Sequence, residues 1–95
     1  HVSMGTIAAR QAAEILANTR TVLAIELINA AQALDLLALA EPGTGVAAAH
    51  RLVREEIAPL RVDRVMHTDL EAAARLIASG ELLTGLQKAV PGLQT

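Results

Sequence analysis

The chain has 95 residues, of which 53% are hydrophobic and 19% charged, and its formal net charge at pH 7 is −2. This length allows one domain at most, and the lack of a basic run and of any aromatic residue argues against a nucleic-acid partner. The absence of cysteine excludes disulfides and thiolate chemistry, and the absence of an uncharged apolar run of about 18 residues argues against a membrane partner.

The first half of the chain predicts one long core helix over about residues 3–40. From Thr6 to Ala40 the sequence contains neither Pro nor Gly and is dominated by strong helix formers. Either Ser3 or Thr6 can cap the amino end of this helix, because each hydroxyl can accept a hydrogen bond from a free backbone N–H.

The part of this helix from Val22 to Ala40 is apolar on nearly every side. A helix of that kind is normally enclosed by other helices. The chain has twenty Ala, fifteen Leu and no Phe, Tyr or Trp, so its remaining segments offer little surface with which to enclose it. We therefore expect partners from outside these 95 residues. Because the chain begins at His1 without an initiator Met, we also expect a piece of a longer protein.

A turn over residues 41–45 ends the long helix, since it contains Pro42 and two glycines. Thr44 is predicted to cap a second helix from about Val46 to Ile57, in which small and apolar residues fall along one face.

Pro59 ends the second helix, and a connector over residues 60–67 leads to a third. Residues 68–71, Thr-Asp-Leu-Glu, fit a capping box, in which the Thr hydroxyl and the Glu carboxylate satisfy free N–H groups reciprocally. The third helix then continues to the serine before Gly80, which is predicted to be a left-handed cap, and a short helix over about residues 81–90 follows.

The predicted fold class is therefore all-α, with one long core helix followed by two or three shorter helices. We expect residues 1–41 to supply the core helix and residues 46–95 a short-helix tail, both belonging to a larger helical bundle.

No residue forms a recognisable catalytic, cofactor-binding or metal site. His1, His50 and His67 lack the spacing of metal ligands, and we interpret the last two as surface or partly buried histidines. The adjacent Glu55 and Glu56 point about 100° apart on a helix, so they cannot act as a carboxylate pair.

Two further features have ordinary structural interpretations. Arg51, Arg54 and Arg61 could bind an anion, but their acidic neighbours favour surface ion pairs. The triplet at 78–80, Ala-Ser-Gly, is the one that cyclises to the electrophile methylidene-imidazolone in one lyase family. Nothing around it suggests the strained turn that cyclisation needs, so we interpret it as a helix end followed by a glycine cap.

Segments along almost the whole chain resemble histidine ammonia-lyases, in the correct order. Residues 1–10, HVSMGTIAAR, are similar to the segment that follows the Gln-Glu-Asp of this family, and residues 22–27 and 30–35 resemble its long core helix. Three later segments resemble its C-terminal tail: Asp63-Arg64, Asp69-Leu70-Glu71 and Ser79-Gly80-Glu81-Leu82-Leu83.

This resemblance implies a mostly helical, cytoplasmic homotetramer that eliminates ammonia from L-histidine to give urocanate. The partners would be the rest of the lyase chain, the other subunits and the amino-acid substrate. In the family, methylidene-imidazolone forms in the N-terminal half, in a sequence context that this chain lacks. The family's tyrosine base is also absent, because the chain has no Tyr.

We therefore expect these 95 residues to be inactive alone, with no catalytic residue, bound cofactor or metal, and to supply core and oligomer-interface helices. The resemblance places His1, Val2 and Ser3 near the active site of the intact enzyme. We hypothesise that the positive end of the long helix points towards that site, where it would stabilise negative charge.

Two alternatives stay open. The chain could belong to a phenylalanine or tyrosine ammonia-lyase or to an aminomutase of the same family. It could instead be a non-enzymatic helical module that oligomerises through the long helix. A simple coiled coil is the less favoured form of such a module, because a strict heptad register breaks at Glu26 and Gln32.

Overall fold

The computed structural model describes residues 4–38 and 41–93, and the secondary structure in these ranges is entirely α-helical, which confirms the predicted fold class. None of the described helices is long and apolar enough to cross a membrane. The helices, in chain order, are α1 (Gly5–Leu37), α2 (Thr44–Glu56), α3 (His67–Ala78) and α4 (Glu81–Ala89).

The long helix predicted from the first half is α1, which extends over about 50 Å. Its N-cap is Met4, which makes no side-chain capping hydrogen bond, so the prediction that Thr6 caps it is wrong because Thr6 lies inside the first turn. The other predicted cap, Ser3, lies outside the described residues. The helix ends at Leu37, earlier than predicted, because Ala38 adopts the left-handed conformation with a φ of 33°.

The predicted threonine caps of α2 and α3 are also wrong. Thr44 is the first residue of α2, and the N-cap is Gly43. Helix α3 begins at His67, so Thr68 lies within its first turn and its N-cap, Met66, makes no side-chain capping bond.

The two carboxylates of the expected capping-box segment make other side-chain contacts instead. Asp69 accepts a hydrogen bond from Arg64 at 3.0 Å, and Glu71 lies 3.0 Å from His67. The left-handed glycine is confirmed, since Gly80 has a φ of 83° and joins α3 to α4.

The four helices form two pairs, in which α1 packs mainly against α3 and α2 mainly against α4. Small residues such as Ala24 and Ala73, neither of which is exposed to solvent, let α1 and α3 approach closely. Val53, Ile57 and Leu76 are the large side chains of this core and join α2 and the start of the connector to the first pair.

Candidate functional site

His1, Val2 and Ser3 lie outside the described residues, and the description begins at Met4, next to the amino end of α1. Their proximity to an active site, and the direction in which the positive end of α1 points, therefore stay predictions.

The most extensive feature that bears on function is the uncovered apolar surface of α1. Every described residue before Arg20 is exposed, and within α1 only Ala24 and Ala31 are buried. Large apolar side chains are exposed along the whole helix: Ile7, Ile15, Leu16, Val22, Leu23, Ile25, Leu36 and Leu37. The shorter helices thus leave most of α1 uncovered, and a large exposed apolar area is typical of a protein interface.

A polar cluster centred on Asp35 joins α1 to α2. His50 and Arg54 are one helical turn apart on α2, so both face the same carboxylate. The Nε2 of His50 lies 2.8 Å from Oδ1 of Asp35, and the Nε of Arg54 donates to Oδ2 at 2.8 Å. The Nη2 of Arg54 donates to the same Oδ2, so two charge-assisted hydrogen bonds join Arg54 to Asp35. We call these three residues the Asp35 clasp.

The electrostatics of the clasp indicate a structural role. The side-chain hydrogen bond from Arg54 lowers the pKa of Asp35 below its ordinary value, and His50 adds to this effect, while desolvation opposes it. A carboxylate whose pKa is lowered is a weak proton acceptor near neutral pH, so the clasp is better suited to holding helices than to general base catalysis.

Two further side chains fasten the connector between α2 and α3. Gln32 of α1 makes a reciprocal pair with the backbone of Leu60, with both hydrogen bonds at 2.9 Å. The guanidinium of Arg64 donates to the carbonyl oxygens of Pro59 and Ala58, at 3.0 and 2.6 Å, as well as to Asp69. The connector is therefore attached to both α1 and α3.

A cleft of about 620 Å³ lies between α2 and α4. Its walls carry Arg51 and Glu55 from α2 and Glu81 and Lys88 from α4, all of which are exposed. Exposed side chains on two open walls do not form the convergent polar arrangement of an active site.

The histidines His50 and His67 match their ordinary interpretation. His50 is partly buried in the clasp, while His67 is exposed and pairs with Glu71. Glu56 reaches Arg75 at 3.8 Å, and among the described residues no group of three His, Cys, Asp or Glu side chains could hold a metal ion.

The Ala-Ser-Gly triplet at 78–80 closes an ordinary helix end. Ser79 is the C-cap of α3, and its hydroxyl donates to the carbonyl of Leu76 at 3.3 Å and accepts from the N–H of Glu81 at 3.2 Å. The N–H of Gly80 donates to the carbonyl of Ile77 at 3.3 Å. Since the nitrogen that would attack in cyclisation is engaged in this turn, the triplet does not fit a site that forms methylidene-imidazolone.

The sequence interpretation missed the clasp and placed Arg54 in a surface ion pair. Its side chain is only 14% exposed and bonds to Asp35, which lies on another helix. The spacing of His50 and Arg54 was a usable signal, because it places two donors on one face of α2.

Comparison with known proteins identifies a matching family and several similar proteins. Residues 1–55 match the family model described as aromatic amino acid lyase. A histidine ammonia-lyase from Sorangium cellulosum is 48% identical over 90 residues, which is 95% of this chain and 18% of that relative. The histidine ammonia-lyase of Symbiobacterium thermophilum is 49% identical over 92% of this chain and 17% of its own length.

A third histidine ammonia-lyase, from Natranaerobius thermophilus, is 47% identical over 99% of this chain and 18% of its own length. The chain therefore spans less than a fifth of the length of these curated relatives. No solved structure matches it.

Proposed function

This chain belongs to the aromatic amino acid lyase family, and on that premise we propose that it is a segment of a histidine ammonia-lyase. The whole enzyme would eliminate ammonia from L-histidine to give urocanate. Near-complete coverage of this chain by histidine ammonia-lyases, at close to half identity, supports that substrate over phenylalanine or tyrosine.

The role proposed for the segment is to supply helices to the core and to the subunit interfaces of the enzyme. The observation that carries this proposal is the uncovered surface of α1, on which Ile15 is 65% and Leu36 77% exposed. Burying such side chains gains about 1.5–3 kcal/mol each, so a helix that leaves them in water is adapted to further packing. We propose that the rest of the lyase chain and its other subunits, as a cytoplasmic homotetramer, provide that packing.

The chemistry would then be performed outside this segment. We propose that the prosthetic group forms from another Ala-Ser-Gly triplet of the whole enzyme, because the turn at 78–80 is engaged in ordinary helix-end hydrogen bonds. We keep His1, Val2 and Ser3 as residues that border the active site, on the strength of the resemblance alone.

The test of the activity is a urocanate absorbance assay on the full-length protein, run beside cinnamate and coumarate assays. We expect urocanate from L-histidine and no product from the isolated 95 residues. Cinnamate or coumarate without urocanate would contradict the choice of substrate. Urocanate from the isolated chain would contradict the proposal that the chemistry is performed outside this segment.

The test of the interface role uses two matched variants of the full-length enzyme. Ile15→Glu places a charge at an exposed apolar position of α1, whereas Asn18→Glu places the same charge at an exposed polar position of that helix. We expect the first variant to lose its oligomeric state in light scattering and the second to keep it. Equal behaviour of both variants would show that this surface of α1 is not an interface.

A further inference from the structure

One side of α1 carries an exposed row of apolar residues that runs along most of the helix. Helix positions three, four and seven apart share a side, and this side faces away from the buried Ala24 and Ala31. Ile77 of α3 and Leu82 of α4 border the row without covering it. We call this row the α1 seam, and all of its members are exposed: Ala8, Ile15, Val22, Leu23, Ala30 and Leu37.

Glu26 is the one charged residue that shares the side of the α1 seam. Among the described residues, neither Glu26 nor Arg20 makes an ion pair or a side-chain hydrogen bond. The two lie six positions apart, about 120° around the helix, so they do not pair with each other within one α1. Because burying an unpaired carboxylate is costly, an element that covers the seam must bring a cation to Glu26.

A second copy of α1 meets this need when it packs antiparallel, with a two-fold axis between Val22 and Leu23. Positions equally far from the axis then face each other, so the large Ile15 faces the small Ala30 of the other copy. Leu37 faces the other copy's Ala8 in the same way. Large side chains set against small ones let two helices interdigitate at close approach.

The same register also matches the charges. Glu26 of one copy faces Thr19 of the other, which places it beside the other copy's Arg20. The two-fold axis repeats this contact, so both carboxylates gain a cation. Charged residues flanking an apolar seam commonly form such ion pairs between helices and set their orientation.

The other simple arrangements of two α1 helices are unfavourable. Parallel pairing in register places Glu26 against Glu26, and like charges repel. An antiparallel pair shifted by seven residues in one direction does the same and also sets Ile15 against Leu37. Shifted in the other direction, Leu37 passes the amino end of the partner helix, which begins at Gly5.

We propose that the α1 seam binds a second copy of this chain, antiparallel, with the axis between Val22 and Leu23. This proposal rests on the interface role proposed above and names the occupant of one side of α1. Glu26 and Arg20 fix the orientation and register of the pair, while the apolar seam residues supply its contact area.

Thiol cross-linking of the 95-residue chain tests this register, because the chain contains no cysteine of its own. Under mild oxidation, a mixture of Ala8→Cys and Leu37→Cys should give a disulfide-linked dimer of the two variants. Each variant alone should give little covalent dimer, since its two thiols lie about 40 Å apart in the antiparallel pair.

The control mixture replaces Ala8→Cys with Arg10→Cys. Arg10 is equally exposed but lies about 160° around the helix from Ala8. We expect at least about tenfold more mixed dimer with Ala8→Cys than with Arg10→Cys, because pairing holds the facing thiols at a millimolar effective concentration.

Three results would overturn the proposal. Each variant cross-linking with itself more than with the other would indicate parallel pairing. Equal yields in the two mixtures would indicate random collision. A wild-type chain that is monomeric in light scattering, or no covalent dimer in either mixture, would show that the seam does not bind a second copy.

These outcomes are separable from those of the proposed function, because cross-linking does not depend on lyase activity. If Ile15→Glu loses the oligomeric state of the full-length enzyme but the mixed dimer is absent, α1 remains an interface and this choice of partner is wrong.

Discussion

The stability of this chain depends on very few large buried side chains, and Ile57 provides the most direct test. Of the eight buried hydrophobic residues in the described part of the chain, five are alanines. Ile57 is 1% exposed, and it lies in the core cluster beside Val53 and Leu76. Ile57→Ala removes three carbons, each worth about 0.8 kcal/mol of burial, and the cavity left behind adds to this loss. We expect the free energy of unfolding to fall by about 3–4 kcal/mol.

Urea unfolding of the chain, followed by circular dichroism, measures this change. Val62→Ala is the control, because Val62 is 77% exposed and its truncation should change the free energy of unfolding by less than about 0.5 kcal/mol. A loss below about 1 kcal/mol in Ile57→Ala would refute the reasoning, because it falls short of the burial of even two methylene groups. A loss in Val62→Ala equal to that in Ile57→Ala would place the core elsewhere.

Three further outcomes follow from the structure. Because Arg54 lowers the pKa of Asp35, the clasp stabilises the fold above the unfolded carboxyl pKa of about 3.9. This stabilisation is lost as the pH falls through the lower folded pKa. Asp35→Asn lacks it at every pH, so acid unfolding of this variant should begin at a higher pH than that of the wild type. Gly80→Ala should cost about 1 kcal/mol in urea unfolding because φ is 83° there, whereas Gly92→Ala should cost little. A Cβ at Gly85 would overlap Cδ1 of Leu52, the end of a side chain that can turn aside, while alanine is favoured over glycine inside a helix by about 1 kcal/mol. Gly85→Ala should therefore change the free energy of unfolding by less than about 1 kcal/mol alone and be more favourable in a Leu52→Ala background, as a double-mutant cycle in urea would show.

The extents of the helices could be predicted closely from the sequence because they depend on local chemistry. Pro42 and Pro59 exclude continued helix, and Gly80 accepts a positive φ at no steric cost. The threonine caps could not be predicted, since a hydroxyl caps a helix only if the chain enters with the required backbone angles. Thr44 and Thr68 instead lie within the helices that they were expected to cap.

The Asp35 clasp could not be predicted from the sequence for a different physical reason. His50 and Arg54 are 15 and 19 residues away from Asp35 in sequence, and they meet it only because α2 folds back along the end of α1. Periodicity assigns each residue to a face of its own helix but does not say which faces meet. The reciprocal pair of Gln32 and Leu60, 28 residues apart, could not be predicted from the sequence for the same reason.

The distribution of side-chain size along α1 suits the proposed packing against further helices. The buried contacts of α1 are made by alanines, Ala24 and Ala31, each of which removes little apolar area from water. Larger side chains such as Ile15 and Leu36 face outwards, whereas Leu27 and Ile28 are partly buried and pack against the core. Small residues towards α3 allow close backbone approach, while large residues elsewhere hold most of the free energy that burial can still supply. In the proposed assembly that free energy would be released when other helices cover α1, so the same contacts that join the helices would also stabilise α1.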